Sequence, residues 1–349
     1  MEKLKLGVIG CGGMEKTHAN AYSEVKNVEV VATADIIKER AETAAEVYGA
    51  QYAYTDFREM FDKVDACLLV LPHHLHYPIG RDCLLAGKHV LMEKPFCNTE
   101  AQCLDLARIA EEKDLTLMTA YCMRFHPMVV KLKELLDQKT YGDCFQVSIW
   151  TEQLTRYPTD HWGSSAATLG GGQLFSHGCH YIDLLLWFLG NPVKGTHTGT
   201  NFCTPWMEKE GTSNVAMQFE NGALGYHFGT WGARGTKLRY SIHAHCTEGM
   251  IDCALSEGRM TLLRSGKEPE VLLEKTMSKN TQYEMDHFAD CVLNHKQPLT
   301  NVGTSLQGLR CIWRMYNAER NDRVADLRGL GFSQPWKFVS EDPGDRRGY

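Results

Sequence analysis

The sequence predicts an α/β protein: a doubly wound parallel sheet at the N-terminal end, then an α+β domain built on a large, mainly antiparallel sheet. Three observations carry this. Over roughly the first 120 residues, nearly continuous apolar runs alternate with segments of helical period, as in parallel strands covered on both faces. A glycine-rich turn follows the first of these runs directly. From about residue 195 to 275 the apolar period falls to two, with Asn221-Gly222 between two alternating runs, a strong hairpin signal.

Taken in order, Leu4–Ile9, Val28–Ala34, Ala66–Leu71, His89–Met92 and Leu115–Ala120 read as buried strands. Ile37–Tyr48, Leu75–Ala86 and Thr99–Lys113 read as helices, with Thr99 as an N-cap ahead of Leu104, Leu106 and Ile109. This alternation predicts right-handed βαβ crossovers. Beyond them Pro127–Leu136 and Cys179–Leu189 are helical, the latter stopped by Gly190-Asn191-Pro192. In the period-two region Val215, Met217, Phe219, Leu224, Tyr226 and Phe228 are expected to share one sheet face. Helical stretches at Gln282–Leu293 and Thr304–Ala318 follow, and the tail Glu341–Tyr349 is polar. The expected division is 1–122 and 123–349, since 349 residues are long enough for about two domains.

Composition excludes several classes. A net charge of −6 argues against a nucleic-acid partner, which calls for a basic face. No apolar run approaches the ~18 residues that span a bilayer, and the N-terminus lacks a signal-peptide pattern. Thirteen cysteines without a CxxC pair read as reduced thiols of a cytoplasmic protein.

The turn Gly7-Val-Ile-Gly10-Cys-Gly12-Gly13-Met14 opens a helix. Gly10 permits the tight turn, Gly12 and Gly13 let the backbone approach a pyrophosphate, and the amides at the helix start receive the phosphates. Asp35, at the end of the second apolar run, is placed to accept from ribose hydroxyls and to repel a 2′-phosphate. With no Arg or Ser directly after it, NAD is expected over NADP. The alternative for Asp35 is a helix cap. Glu15 stands where the fingerprint has its third glycine, so either the first helix stands off or Glu15 points to solvent.

Two further strings lie at the carboxyl ends of predicted strands: Pro72-His73-His74-Leu75-His76, and Ala86-Gly-Lys-His-Val-Leu-Met-Glu93-Lys94-Pro95. With the second the chain resembles the Gfo/Idh/MocA oxidoreductases. Arg124-Phe125-His126-Pro127, Trp162 ahead of Gly170-Gly171-Gly172, and Gly178-Cys-His180-Tyr-Ile-Asp183 fit the same pattern, as do Glu284, His287-Phe288 and Gln297-Pro298-Leu299. The resemblance spans roughly residues 4–325. It implies a Rossmann domain with NAD as cofactor, a sheet used for homo-oligomerisation, and reversible hydride transfer between nicotinamide and a secondary alcohol of a sugar or cyclitol. By motif, Lys94 hydrogen-bonds the reacting hydroxyl and His180 is the general base. Gly10, Gly12, Gly13, Met14, Asp35, Pro72, His73, His76, Glu93 and Lys94 are the expected cofactor contacts.

Elementary chemistry agrees with those roles. Removing a hydride leaves an oxygen that must lose its proton, and an imidazole titrating near neutrality suits that task. An ammonium beside the same oxygen stabilises developing negative charge. Asp183 either orients His180 or favours a helix start. The His177/His180 spacing brings no further ligand types with it, so no metal is expected. Ser176 departs from the pattern: inositol-dehydrogenase-like members place an aspartate four residues before the histidine. A serine offers a hydrogen bond without a charge, and is expected to touch substrate. Tyr121, Arg124, Gln153, Tyr157, His161, Trp162 and His177 complete the candidate carbohydrate contacts, since aromatic faces stack on pyranose C–H faces and Arg forks bind vicinal hydroxyls.

The expected substrate is a ring hydroxyl of a sugar, glycoside or inositol, preferably C3 of a pyranose. A 3-keto product acidifies the neighbouring C–H and would feed a partner enzyme that eliminates the aglycone. Two rivals are a redox-assisted glycosidase, with Tyr157 or His161 as additional base, and a non-catalytic dinucleotide-binding sensor.

Overall fold

Alternate burial of both faces makes β1 (Leu4–Ile9) a central strand: Leu4, Leu6, Val8 and Ile9 are all buried. It is followed by α1 (Glu15–Tyr22), β2 (Val28–Ala34), α2 (Lys38–Tyr48), β3 (Tyr52–Tyr54), β4 (Ala66–Leu69), α3 (His73–Leu85), β5 (His89–Glu93), α4 (Glu100–Glu112) and β6 (Leu117–Ala120). The strands pair in parallel in the order β3-β2-β1-β4-β5-β6. The order reverses between β1 and β4, which opens the crevice where doubly wound sheets bind ligands. Thr99 caps α4, its hydroxyl accepting from the Gln102 amide at 3.4 Å. The computed structural model describes residues 3–275 and 281–334; the polar tail from Glu341 lies outside them.

The chain divides into two compact units. The first runs to Phe125 and takes back a later segment ending at Ser305, a return the sequence division at 122 did not contain. The cause is an apolar helical stripe: Met285, Phe288, Ala289 and Val292 join one core with Leu4, Val28, Leu91 and Met118.

The second unit contains α5 (Pro127–Asp137), β7 (Cys144–Glu152), α6 (Ala166–Leu169) and a π-helical turn, Leu174–Gly178, that runs directly into α7 (Cys179–Leu189). Then come β8 (Pro192–Thr200), β9 (Thr212–Phe219), β10 (Leu224–Thr230), β11 (Tyr240–Cys246), β12 (Gly249–Ala254), β13 (Arg259–Leu263) and β14 (Glu270–Glu274). Helix α8 (Thr281–Leu293) belongs to the first unit, and α9 (Val302–Arg320) and β15 (Ala325–Asp326) complete the chain of elements. Among the described residues the second sheet has nine strands, ordered β14-β13-β12-β11-β7-β10-β9-β8-β15, antiparallel except between β7 and β10.

The hairpin at Asn221-Gly222 forms as expected, but its two strands do not put the six apolar residues on one face. Val215 pairs with His227 and Ala216 with Tyr226. Val215, Met217 and Phe219 therefore share the buried face with His227, whereas Leu224, Tyr226 and Phe228 lie on the opposite face beside Trp150, whose ring is 5.6 Å from Tyr226 and 5.3 Å from Phe228. An odd step in the turn register exchanges the faces of every following residue. Among the described residues no helix is long and apolar enough to cross a membrane, and no group of three or more His, Cys, Asp or Glu is placed to hold a metal ion.

Candidate functional site

In the first unit the glycine turn leaves β1 with Gly10 at φ +93°; a Cβ there would meet the Val70 carbonyl oxygen at 2.2 Å. A Cβ on Gly12 or Gly13 would meet nothing within 4 Å, so open space lies over the turn. Met14 at the N-cap of α1 supplies no capping side chain. A helix start under open space suits an anionic dinucleotide. Asp35 Oδ1 accepts the Ile37 amide at 2.8 Å, ahead of α2, and Oδ2 accepts the Cys11 amide of the glycine turn at 2.8 Å. A carboxylate has about four acceptor positions, which leaves room for ribose hydroxyls.

Glu15 does not point to solvent. It is 4 % exposed, and burial raises its pKa above the ordinary 4.5, with Tyr48 and His18 pulling it back. The folded chain therefore holds this proton more tightly than the unfolded chain. The resulting penalty grows as pH rises from the ordinary carboxyl range through the raised value, and vanishes below the ordinary range. Glu15→Gln is expected to raise the melting temperature at pH 7 and leave it unchanged at about pH 4, a difference thermal unfolding at the two pH values reads directly.

Pro72 is the N-cap of α3, and His73 opens that helix, buried, with its ring 5.6 Å from His76. His76 is wholly buried; Nδ1 lies 2.8 Å from the Pro95 carbonyl and Nε2 3.0 Å from the Leu71 carbonyl. Both nitrogens face main chain, so His76 ties the loop after β4 to the loop after β5 instead of meeting a cofactor through them. Burial lowers its pKa, and the neutral ring donates one hydrogen bond. Glu93 ends β5, buried, and its Oε2 accepts the Lys94 amide at 3.2 Å while Oε1 lies 2.9 Å from His18 Nε2. His18, fully buried on α1, was not singled out from sequence: a lone histidine in an unremarkable helix carries no local signal. It links α1 to the Lys94 loop, whose Lys94–Pro95 peptide is cis. Lys94 itself is half-buried at the carboxyl end of β5. Tyr121, after β6, is 1 % exposed. Arg124 is 2 % exposed and donates to the Leu299 carbonyl at 3.4 Å, so part of its fork is spent within the unit.

In the second unit Tyr157, His161 and Trp162 come together. Tyr157 and His161 stack at 4.4 Å and 6°, Trp162 lies 5.5 Å from His161, and Trp231 stands edge-on to Tyr157 at 5.9 Å. Leu169 and Met207 back this cluster. His161 accepts the Gly163 amide on Nδ1 at 3.0 Å, and partial burial lowers its pKa; it is a neutral ring with Nε2 protonated. His177 lies 6.5 Å from Trp231, 5.8 Å from Tyr240 and 6.3 Å from His180, which joins the aromatic wall to the start of α7. Trp231, just past the end of β10, and Tyr240, at the start of β11, escaped sequence reading because the segments around them look like ordinary sheet. Tyr240 donates to Gln153. Ser176 and His180 are buried, and Asp183, one turn on, is fully buried.

What holds this helix start is remote in sequence. The four leading N–H groups of a helix have no intrahelical acceptor. Here the Tyr316 hydroxyl accepts the amides of Gly172 at 3.3 Å and Phe175 at 3.2 Å. Glu210 accepts Leu174 on Oε1 at 3.3 Å and Gln173 on its main-chain oxygen at 2.7 Å. Tyr316 also donates to the Glu210 carboxylate. Two residues thus cap all four donors. A Cβ at Gly172 would fall 2.1 Å from that carboxylate, which accounts for the glycine. Gln173 completes the arrangement: its Oε1 accepts from Ser213 at 2.8 Å, and its Nε2 lies 3.4 Å from His177 Nδ1.

Residues 4–121 match the family described as an oxidoreductase family with NAD-binding Rossmann fold, and residues 129–252 match a Gfo/Idh/MocA C-terminal domain. The chain is 33% identical over 328 residues to 4-carboxy-2-hydroxymuconate-6-semialdehyde dehydrogenase of Sphingobium sp., covering 88% of this chain and 96% of that one. It is 28% identical over 222 residues to D-glucoside 3-dehydrogenase of Escherichia coli, 62% of this chain and 61% of that enzyme. The first three curated relatives are spanned over 52% to 67% of their lengths. In fold, a levoglucosan dehydrogenase complexed with NADH and L-sorbose superposes with a TM-score of 0.85 at 18% identity, over 94% of this chain and 99% of that one. The chain belongs to the Gfo/Idh/MocA oxidoreductase family, and its first unit is an NAD-binding Rossmann domain.

Proposed function

We propose that this protein is an NAD-dependent dehydrogenase acting on a secondary ring hydroxyl of a sugar, glycoside or inositol, with oxidation at C3 of a pyranoside as the preferred reaction. The observation that carries the reading is the stacked Tyr157–His161 wall with Trp162 and Trp231, joined through His177 to the helix start that bears His180. Flat aromatic faces beside a histidine suit a ring with axial C–H bonds and one reacting hydroxyl. The name of the glucoside 3-dehydrogenase supports C3.

In this reading His180 takes the hydroxyl proton and Lys94 donates to the same oxygen, steadying the charge that develops on it. Glu93 and His18 hold the Lys94 loop, while Glu210 and Tyr316 hold the helix start that carries Ser176, His177 and His180. Gly10, Gly12, Gly13, Met14 and Asp35 are the residues that hold NAD. The nicotinamide, when bound, accepts or returns the hydride. Asp35→Ser is expected to weaken NAD binding by roughly tenfold or more, the ordinary worth of a hydrogen bond to a charged group, and to narrow the preference over NADP. Titration of cofactor fluorescence with both dinucleotides checks this.

A second reading has one observation in its favour: the semialdehyde dehydrogenase of Sphingobium is matched over nearly its full length. An aldehyde that hydrates or closes to a cyclic hemiacetal also presents a carbon bearing hydrogen and hydroxyl, so the same base and ammonium serve it. Assaying glucosides, inositols and hydroxy-semialdehydes side by side, with reduced nicotinamide followed by absorbance, separates the two. Turnover of the semialdehyde alone would displace the sugar reading. A homo-oligomer assembled through the Trp150, Tyr226 and Phe228 face, a cytoplasmic location and a downstream aglycone-eliminating enzyme belong to the same proposal.

A further inference from the structure

The cysteines of this chain are free thiols, and most are buried. Cys144 opens β7 and Cys246 closes β11; the two are direct partners in the antiparallel register. The register steps past Phe145 between this pair and the next, His245 with Gln146. That bulge leaves Phe145 exposed and is the kind of feature that re-aims neighbouring side chains. The Cys144 thiol donates to the Gln146 carbonyl at 3.7 Å. The backbone around them is tightly tied: Thr247 donates to the Asp143 carbonyl at 3.0 Å, Glu248 to the Tyr141 carbonyl at 3.1 Å, and the Asp143 amide to the Thr247 hydroxyl at 3.1 Å. Directly opposed residues of an antiparallel pair have Cα atoms about 4.5–5.5 Å apart, within the span a disulfide bridges. Cys144 is half-buried and Cys246 is 7 % exposed, so a small oxidant has access through the Cys144 side.

We infer that Cys144 and Cys246 form an oxidant-sensitive dithiol site that closes to an intrachain disulfide with hydrogen peroxide. The neighbouring Cys144 lowers the pKa of the Cys246 thiol, so Cys246 is the attacking sulfur. That thiolate attacks one peroxide oxygen, the O–O bond breaks, and the departing hydroxide leaves as water after taking a proton. The resulting sulfenic acid is attacked by the Cys144 sulfur; its hydroxide leaves with the Cys144 proton as a second water. Two thiols and one peroxide give one disulfide and two waters. The site lies at the opposite ends of β7 and β11 from Gln153 and Tyr240.

The test is mild hydrogen peroxide on the full chain, followed by alkylation under denaturing conditions and peptide mass analysis. The expected result is a loss of two free thiols and a peptide pair joined through Cys144 and Cys246. Cys203, exposed, is the control: Cys203→Ser leaves the cross-link intact. Cys144→Ser abolishes it and leaves a sulfenic acid on Cys246 that dimedone captures. Should Cys144→Ser fold poorly, Cys246→Ala reports the same loss of cross-link from the other side. Oxidation confined to Cys203, or alkylation of Cys144 and Cys246 as separate thiols after peroxide, overturns the inference.

Discussion

Replacing His180 by alanine is expected to lower kcat by about 10²- to 10⁴-fold, the usual worth of a positioned general base, with the affinity for NAD unchanged. A base must be unprotonated to accept a proton. In the parent enzyme the oxidation rate therefore falls at low pH as the base takes up its proton, and this acidic limb disappears from the residual rate of the variant. Lys94→Ala is expected to cut kcat as well, but with the acidic limb retained. Ser176→Asp supplies the carboxylate that other members have at this position. A rise in turnover on every alcohol tested would show that the serine is no adaptation to a particular substrate. Stopped-flow and steady-state assays across pH, with cofactor binding measured separately, distinguish these outcomes.

Tyr316→Phe is expected to be the most damaging substitution outside the reacting groups. It leaves the buried amides of Gly172 and Phe175 without their acceptor and removes a donor from Glu210. An unsatisfied buried polar group costs about 1–3 kcal/mol, so two of them lower stability by about 2–6 kcal/mol. Because these amides start the helix that carries Ser176, His177 and His180, kcat is expected to fall while NAD affinity in the other unit stays intact. Glu210→Gln keeps the carbonyl acceptor for Leu174 and is expected to be milder on both counts. Denaturant unfolding and a kcat-against-KM comparison read the two effects. A variant that unfolds earlier yet keeps full kcat would make the Glu210–Tyr316 cap structural only.

Much of the fold was legible because local pattern and tertiary environment agreed. Leu4–Ile9, Val28–Ala34 and Cys179–Leu189 have the limits expected from their apolar runs, and Thr99 caps the helix it was expected to cap. Features decided by distant partners were not legible. Tyr52–Tyr54 is too short a strand to show a period. The return of α8 to the first core depends on where its Phe288 stripe finds partners, which no local window contains. The face assignment at β10 failed because one step of register decides it. Of the candidate site, the glycine turn, Asp35, Lys94 and His180 were visible as motifs. Their supports were not: His18 lies 75 residues from Glu93, Glu210 lies 36 residues from Leu174, and Tyr316 lies 141 residues from Phe175. Such long-range polar contacts leave no periodic trace.

The measurement that bears most directly on the central claim is an absorbance assay of the purified protein with NAD against glucosides, free hexoses, inositols and hydroxy-semialdehydes, with product mass recorded in parallel. The expected result is a ring alcohol whose mass falls by two hydrogens as reduced nicotinamide accumulates, with both signals abolished in His180→Ala. Release of aglycone without net reduced nicotinamide, or bound NAD with no turnover of any alcohol, would contradict it.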